Sequence, residues 1–360
     1  MKVAIVGAGQ LGRMLALAGY PLGIRCELYD RSADTPGGQV APITTGEFDD
    51  KGRLAALARR ADVVTFDWEN VPVESLIAMQ AHAPVHPSPR VLRLAQDRLL
   101  EKTLFRDLGI PTPPFAPVDL RSDLDAAIRR IGRPGILKTR RFGYDGKGQA
   151  RIVTRADDER AWAALGGEPL IYEGFVRFSR EVSLIAVRSR RGESKFYALT
   201  ENVHEHGILA TSRSPYVAPT LQASAERHVG AILERFRYSG ILAVEFFVER
   251  GRLVANEMAP RVHNSGHWTI EGAVTSQFEN HLRAILGLPL GSTAVRGHSG
   301  MVNFIGRLPN LKRALAEPGL ALHLYGKRDA RPGRKLGHAT VVTATKAARE
   351  KALARLLKLR

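Results

Sequence analysis

Two glutamates late in the chain have the spacing of a metal site. Glu245 and Glu257 lie in ILAVEFFVERGRLVANEMAPR, a segment that predicts two strands joined by a tight turn. If Arg250, Gly251 and Arg252 form a three-residue hairpin loop, the two carboxylates face each other with Cβ atoms roughly 5 Å apart. Facing like charges are destabilising, and a bound divalent cation would remove the repulsion. The pattern predicts a metal site, and an exposed hairpin with scattered acids is the alternative.

A lysine and a glycine-rich loop form a candidate phosphate site. Lys138 lies within the apolar strand ILKT, where a lysine usually has an anionic partner. In the loop from Gly143 to Gln149, three glycines would let backbone amides approach phosphate oxygens, and Lys147 adds charge. The loop lacks the G-K-[ST] ending of a Walker A motif. These residues predict a phosphate clamp, with a β-hairpin loop that needs turn glycines as the alternative.

The N-terminal glycines support two interpretations. Gly7, Gly9 and Gly12 match G-x-G-x-x-G directly after a strand, and Asp30 ends the next strand, where a ribose-binding acid would lie. An NAD-dependent dehydrogenase would use this motif. The same glycines would equally serve a tight strand–helix turn that contacts no dinucleotide.

Further polar residues follow the acidic pair and crowd a loop near the C-terminus. The segment from Arg261 to His267 concentrates side-chain donors where an apolar strand ends, which favours a binding site over an ordinary polar loop. Lys327, Arg334 and Lys335 lie in a loop rich in Pro and Gly. They predict either a cradle for a substrate phosphate, to which Arg offers paired hydrogen bonds, or a solvated basic loop.

Composition and charge exclude several classes of protein. The 360 residues include one cysteine, Cys26, which excludes an internal disulfide framework and is expected in a strand. No apolar run approaches the ~20 residues of a membrane helix, and the chain opens on a strand, so a cytoplasmic protein without membrane contact is expected. The net charge of +17 is dispersed and only 7% of residues are aromatic, which disfavours a nucleic-acid partner.

The order of elements predicts three domains. Alternating strands and helices predict a parallel α/β unit over residues 1–88. A helix is expected from Pro89 through Leu108, and an α+β region with two lobes over residues 89–290. A small basic segment, residues 291–360, ends in an amphipathic helix. The predicted fold class is therefore α/β and α+β.

The motifs, taken in order, resemble those of the ATP-grasp enzymes. The resemblance rests on GAGQLGRML, WENVP, QDRLLEK, FGYDGKGQ, YEGF, TENVHEHGI, NEMAPRVHNSGHWT and RPGRKLGH, which together span almost the whole chain. It is greatest to the 5-(carboxyamino)imidazole ribonucleotide synthases of purine biosynthesis. The resemblance implies an ATP-grasp fold with an N-terminal Rossmann-like pre-ATP-grasp domain that binds no NAD, and a small C-terminal domain.

The resemblance also implies the two ligand sites. Magnesium, with manganese possible, would bind Glu245 and Glu257; relatives often have an Asn ligand two residues later, where this chain has Ala259. The implied ATP contacts are Arg98, Lys138, Gly143, Tyr144, Asp145, Gly146, Lys147, Gly148, Gln149, Glu173, Gly174, Phe175, Val176, Glu181, His204, Asn256 and Glu257. The implied substrate contacts are Glu69, Arg261, His263, Lys327 and Arg334, and the implied catalytic residues are Tyr144, Asp145 and Arg261.

The implied activity is ATP- and bicarbonate-dependent carboxylation of 5-aminoimidazole ribonucleotide, with ADP and phosphate as the other products. Asp145 is the candidate base for the substrate amine. A homodimer is expected. Three alternatives remain at this point: a formate-dependent glycinamide ribonucleotide transformylase, an NAD-dependent dehydrogenase, and a non-catalytic nucleic-acid-binding protein.

Overall fold

The N-terminal unit is a parallel sheet covered by helices. The computed structural model of the chain describes residues 1–143 and 146–360. The unit consists of β1 (Lys2–Val6), α1 (Gln10–Gly19), β2 (Arg25–Asp30), β3 (Ile43–Thr45), α2 (Lys51–Ala58), β4 (Val63–Phe66) and α3 (Val73–Gln80). The strand order is β3-β2-β1-β4, and all pairs are parallel. The two central strands, β1 and β4, are buried on both faces, as parallel strands require, and Cys26 lies in β2 as predicted.

The helical segment that follows is divided in two. Ser88 caps α4 (Pro89–Ala95) by accepting a hydrogen bond from the Arg90 amide, which confirms the predicted N-cap and first-turn proline. The single helix predicted up to Leu108 is wrong, because Asp97 interrupts it. The Asp97 carboxylate accepts hydrogen bonds from the amides of Leu99 and Leu100 and starts α5 (Arg98–Asp107).

A small antiparallel sheet comes next. The segment that forms this sheet and its helices consists of β5 (Phe115–Val118), α6 (Arg121–Ile131), β6 (Gly135–Thr139), β7 (Gln149–Ile152), α7 (Arg155–Leu165) and β8 (Leu170–Gly174). The strand order is β5-β8-β6-β7. Helices α6 and α7 pack their apolar residues on one face of this sheet. The glycine-rich loop joins β6 to β7, as the sequence predicts; its residues Tyr144 and Asp145 lie outside the described part of the chain.

The remaining strands form one long antiparallel sheet with the order β14-β13-β9-β11-β12-β15-β17-β16, and β10 pairs with β9. Its elements are β9 (Arg180–Arg188), β10 (Ser194–Phe196), β11 (Thr200–Glu205), β12 (Ile208–Ser214), α8 (Pro219–Arg235), β13 (Gly240–Glu249), β14 (Arg252–Ala259), α9 (Thr269–Gly272), α10 (Gln277–Ile285), β15 (His298–Ile305), α11 (Leu311–Leu315), β16 (Leu320–Leu324), β17 (Lys335–Thr343) and α12 (Lys346–Leu357). Short 3-10 helices span Tyr20–Leu22 and Asn264–Gly266. The strands after residue 291 thus extend the preceding sheet, and the three domain boundaries stay predictions.

The β13–β14 hairpin differs from its predicted form in two places. Its loop has two residues, since Glu249 pairs with Arg252 and both Arg250 (φ +48°) and Gly251 (φ +74°) are left-handed. The three-residue loop predicted from the sequence is therefore wrong. A β-bulge then shifts the register by one residue, so Glu245 still pairs with Glu257. The predicted opposition of the two acids is confirmed.

Candidate active site

A cavity of about 400 Å³ lies between the small sheet, the long sheet and the N-terminal unit. It collects most of the residues that the sequence predicted, namely Glu69, Arg98, Lys138, Gly143, Gly146, Lys147, Gln149, Glu181, His204, Glu245, Asn256, Glu257, Arg261 and His263. Among the described residues, the predicted contacts that lie outside the cavity lining are Gly148, Glu173, Gly174, Phe175, Val176, Lys327 and Arg334.

The acidic pair lies on the cavity face of the hairpin. In β13, Val244 and Phe246 are buried in the core behind the sheet, so Glu245 faces the cavity. The bulge in β14 lets two consecutive residues, Asn256 and Glu257, both line the cavity. Without the bulge, strand alternation would have turned one of them toward the core.

The electrostatics of the pair fit a divalent cation. Burial raises the pKa of Glu245 to about 7; the neighbouring Glu257 carboxylate adds to the rise, and His204 opposes it. A cation between the two carboxylates would favour the charged form of both. Within residues 1–143 and 146–360, no group of three or more His, Cys, Asp or Glu side chains is arranged to hold a metal ion. The two glutamates would therefore need ligand or water oxygens to complete a coordination shell.

Lys138 has the anionic partner that its apolar strand predicts. Its Nζ donates to Glu173 Oε2 at 3.1 Å, and Lys102 Nζ lies 3.6 Å from the same oxygen. Burial raises the pKa of Glu173, but the two ammonium groups outweigh burial and hold the pKa at about 2. Glu173 is therefore a buried carboxylate held between two lysines. Its other oxygen, Oε1, has no hydrogen-bond partner among the described residues.

Lys102 is a component of the site that the sequence analysis did not single out. It is 1% exposed, and its Nζ donates to the carbonyl of Asn256 at 2.6 Å and to that of Ala255 at 3.3 Å. These carbonyls belong to the bulge, so Lys102 links Glu173 of the small sheet to the hairpin that carries the acidic pair.

Arg98 connects the glycine-rich loop to the acidic pair. Its Nη2 donates to the Gly143 carbonyl at 3.0 Å, and its Nη1 lies 3.6 Å from Glu257 Oε2. Gly146 and Gly148 have φ angles of +78° and +68°, so these positions of the loop require glycine. The Gly148 carbonyl accepts a hydrogen bond from the Thr139 amide, which closes the loop onto β6.

The end of β8 and the start of β9 hold the other predicted nucleotide contacts. Backbone hydrogen bonds tie Gly174 to Pro114 and Phe175 to Pro134, and Val176 follows directly. Glu181 accepts a hydrogen bond from His204 at 2.7 Å, and both side chains line the cavity. Burial lowers the pKa of His204, but the Glu181 and Glu245 carboxylates outweigh it and raise the net pKa.

The predicted substrate residues form two groups. Arg261 Nη2 lies 3.0 Å from Glu69 Oε1, and both residues line the cavity, as does His263. Lys327 lies with its Nζ 5.7 Å from the centre of the Tyr325 ring, and Arg334 Nη1 lies 3.2 Å from Asp329 Oδ2.

Positive charge accumulates around Lys327. Burial lowers the pKa of Lys327 to about 8, and the cations of Arg334 and Lys335 add to the fall. Lys335 lines the cavity, so the basic loop reaches it through this residue. The loop thus combines several cations beside the cavity, as a phosphate cradle requires.

The N-terminal glycine turn is filled by the protein's own carboxylates. The Ala8 amide donates to Asp30 and the Gly12 amide donates to Asp67, both at 2.8 Å. Gly7 has φ +103°, and a Cβ there would lie 1.7 Å from Asp67 Oδ1, so the turn requires glycine to admit this carboxylate. Two acids beside the turn would repel the pyrophosphate of a dinucleotide, and this geometry disfavours the NAD-dependent alternative.

Several cavity residues were not predicted from the sequence. The lining includes Gln10, Leu11, Asn70, Gln96, Arg140, Phe142, Phe178 and Phe247. Phe178 and Phe247 stack with ring centroids 4.6 Å apart and form an apolar wall. The alternation of β13, which places Phe247 on the same face as Glu245, was the signal that could have identified that residue.

The described residues contain no helix long and apolar enough to cross a membrane.

Three family models match the chain. They are the ribonucleotide synthetase preATP-grasp domain over residues 1–96, the ATP-grasp domain over residues 103–278, and the phosphoribosylaminoimidazole carboxylase C-terminal domain over residues 299–352.

Full-length relatives agree with the family models. An N5-carboxyaminoimidazole ribonucleotide synthase of Pseudomonas aeruginosa is 52% identical over 96% of both chains. A crystal structure of the synthetase from Thermus thermophilus has a TM-score of 0.95 at 52% identity, over 99% of this chain and 98% of that one. The Aspergillus clavatus synthase, solved in complex with ADP and 5-aminoimidazole ribonucleotide, has a TM-score of 0.93 at 32% identity, over 99% and 98%.

The ATP-grasp fold with its preATP-grasp and C-terminal domains, predicted from the motifs, is confirmed. The chain belongs to the N5-carboxyaminoimidazole ribonucleotide synthase family of ATP-grasp ligases.

Proposed function

We propose that the chain carboxylates the exocyclic amine of 5-aminoimidazole ribonucleotide at the expense of ATP, with bicarbonate as the carbon source, in de novo purine biosynthesis. The products are the N-carboxylated ribonucleotide, ADP and phosphate. One observation carries the proposal: a single cavity joins a pair of opposed carboxylates to basic side chains and to a donor-rich wall. The relatives support it, since one was solved with ADP and 5-aminoimidazole ribonucleotide.

ATP would lie between the small sheet and the β13–β14 hairpin. Lys138 and Arg98 would contact its phosphates, and the backbone of Gly143, Gly146 and Gly148 would close over them. The backbone from Glu173 to Val176 would line the base, and Glu181 would accept the ribose hydroxyls beside His204 and Asn256.

Glu245 and Glu257 would hold magnesium, or manganese in its place. Their opposition across two strands and the raised pKa of Glu245 fit a cation. Ala259 is buried in an apolar cluster, so the position two residues after Glu257 offers no side-chain ligand, and ATP or water oxygens would have to complete the shell. When bound, the cation neutralises phosphate charge. Lys138 on the small sheet and Arg98 beside Glu257 would add to that neutralisation.

Bicarbonate is a weak electrophile. Attack of a bicarbonate oxygen on the γ-phosphate of ATP would release ADP and convert the bicarbonate to carboxyphosphate. The protein contributes mainly by positioning and by charge. Arg261, held against Glu69, and His263 would orient the anionic reactants. Lys327 and Arg334 would bind the substrate phosphate. Tyr144 and Asp145, which lie outside the described residues, stay predicted catalytic residues, with Asp145 as the base for the amine; full activity in Asp145→Asn would remove that role.

The direct test measures ADP release with purified protein, ATP and magnesium, while bicarbonate and 5-aminoimidazole ribonucleotide are omitted in turn. We expect full release only when both are present. Release that requires formate and glycinamide ribonucleotide would instead establish the formate-dependent alternative. Glu249→Gln is a suitable control for variants of the acidic pair, because Glu249 lies on the same hairpin outside the cavity lining.

The wider organisation belongs to the proposal as well. We expect a homodimer in the cytoplasm, with the domains divided at residues 88 and 290. Sedimentation analysis of the purified chain tests the dimer, and a monomeric mass at micromolar concentration would reject it.

A further inference from the structure

A chain of buried hydroxyl and amide groups ends on the imidazole of His263. The Ser212 hydroxyl donates to Asn202 Oδ1 at 2.8 Å, and Asn202 Nδ2 donates to Ser183 Oγ at 2.9 Å. The Ser183 hydroxyl donates to Ser265 Oγ at 2.8 Å, and Ser265 Oγ lies 2.9 Å from His263 Nδ1. The first four residues are at most 4% exposed, so water does not compete for these hydrogen bonds.

The geometry fixes the direction of the last link. The Ser265 backbone amide also points at His263 Nδ1, at 3.3 Å, and an amide N–H can only donate. Nδ1 must therefore present its lone pair. Since Ser265 Oγ already accepts from Ser183, its own hydrogen is available for Nδ1. A neutral imidazole that accepts at Nδ1 carries its proton on Nε2.

The other end of the ring faces the cavity. His263 lines the cavity, and its Nε2 lies 3.7 Å from Glu245 Oε1, which is longer than a hydrogen bond. The Nε2–H group is thus left as a donor that a ligand oxygen in the cavity can engage. The buried chain runs across three adjacent strands, with Ser183 on β9, Asn202 on β11 and Ser212 on β12. This rigid base suits a positioning function.

We propose that Ser265, supported by Ser183 and Asn202, is a positioning residue that holds His263 as the neutral Nε2–H tautomer, so that the ring donates to an anionic oxygen of the bound substrate. The identity of that oxygen rests on the proposed function above. The tautomer itself does not, because it follows from contacts within the protein.

Nitrogen NMR on protein labelled with ¹⁵N-histidine tests the tautomer without turnover. The His263→Gln variant identifies the His263 signals by their loss. We expect a protonated Nε2 and an unprotonated Nδ1 in the unsubstituted protein at neutral pH. In Ser265→Ala the ring loses its hydroxyl donor and keeps only the longer backbone amide contact, so we expect the form with a protonated Nδ1 to appear as a minor population beside the Nε2–H form. A protonated Nδ1 in the unsubstituted protein would overturn the proposal.

Steady-state kinetics provide the second measurement. In Ser265→Ala we expect kcat/KM for 5-aminoimidazole ribonucleotide to fall roughly three- to tenfold, with the KM for ATP unchanged. Ser183→Ala, which keeps the Ser265 hydroxyl, should show a smaller fall in kcat/KM. This variant replaces Ser265→Ala in the test if Ser265→Ala does not fold. Ser299→Ala is the matched control, because Ser299 is also fully buried and its hydroxyl has no partner among the described residues.

The outcomes separate the two proposals. The positioning function would be rejected if Ser265→Ala, Ser183→Ala and Ser299→Ala all had the same kinetic constants. Rejection would require also that His263 keep the same single tautomer in all three variants as in the unsubstituted protein. The expected tautomer pattern in a protein that releases no ADP with the two proposed substrates would uphold the positioning of His263 and reject the proposed function.

Discussion

Replacing Lys102 by methionine should destabilise the protein and raise the KM for ATP. The ammonium group, on a side chain that is 2% exposed, pairs with Glu173 and donates to the carbonyls of Ala255 and Asn256. Removing one partner of a buried ion pair costs about 3–5 kcal/mol. Lys138 still neutralises Glu173 in the variant, so we expect the lower value, about 3 kcal/mol. With an unfolding entropy of about 2.1 cal/mol/K per residue over 360 residues, the loss corresponds to a fall in Tm of roughly 4 °C.

Differential scanning calorimetry of Lys102→Met measures this fall, and an ADP-release assay measures the KM for ATP. We expect the KM for ATP to rise because the bulge carbonyls lose their donor and the bulge places Asn256 and Glu257 in the cavity. Lys195→Met is the matched control, since Lys195 also contacts a carbonyl and a carboxylate but lies partly exposed. Its cost should be about 1 kcal/mol or less. A Tm and a KM for ATP in Lys102→Met equal to those of the control would refute the reasoning.

Three further predictions concern the acids, a buried histidine and the basic loop. Glu257→Gln should lower kcat and raise the magnesium concentration needed for half-maximal rate, while Glu249→Gln should change neither. Burial lowers the pKa of His281 to about 3, so between pH 6.5 and 3 the unfolded state binds a proton that the folded state does not, and stability falls as the pH falls. At pH 5 this amounts to about 2 kcal/mol, and His281→Gln should show a smaller fall in Tm between pH 7 and pH 5 than the unsubstituted protein. Lys327→Ala should raise the KM for 5-aminoimidazole ribonucleotide and leave that for ATP unchanged, whereas Arg328→Ala, at an exposed ion pair with Asp34, should change neither.

The acidic pair shows how far local patterns reach. The opposition of Glu245 and Glu257 could be predicted because residue types and strand alternation constrain it. The loop could not, because a two-residue loop with a later bulge and a three-residue loop without one both bring these residues opposite each other. The hydrophobic periodicity of the segment does not reveal the bulge. Arginine has no preference for a left-handed φ, so the residue type at position 250 does not predict the turn conformation that Arg250 adopts.

Lys102 shows what local patterns omit. Its sequence context predicts an ordinary helix, and its charge alone predicts a solvated position. Its burial arises because α5 packs against β14, more than 150 residues away in sequence. Likewise, apolar runs and caps predicted β1, β2, β6, the two hairpin strands and the start of α4, but the pairing of β12 with β15 depends on contacts between segments that no local pattern relates.

The most direct test of the central claim follows the carbon atom. The protein would be incubated with ATP, magnesium, ¹³C-bicarbonate and 5-aminoimidazole ribonucleotide that carries ¹⁵N at its exocyclic amine, and the mixture observed by carbon NMR. We predict a new carbon signal coupled to that nitrogen, with one ADP formed for each carboxylated product. ADP formation without a nitrogen-coupled carbon signal would contradict the assignment of this cavity to amine carboxylation.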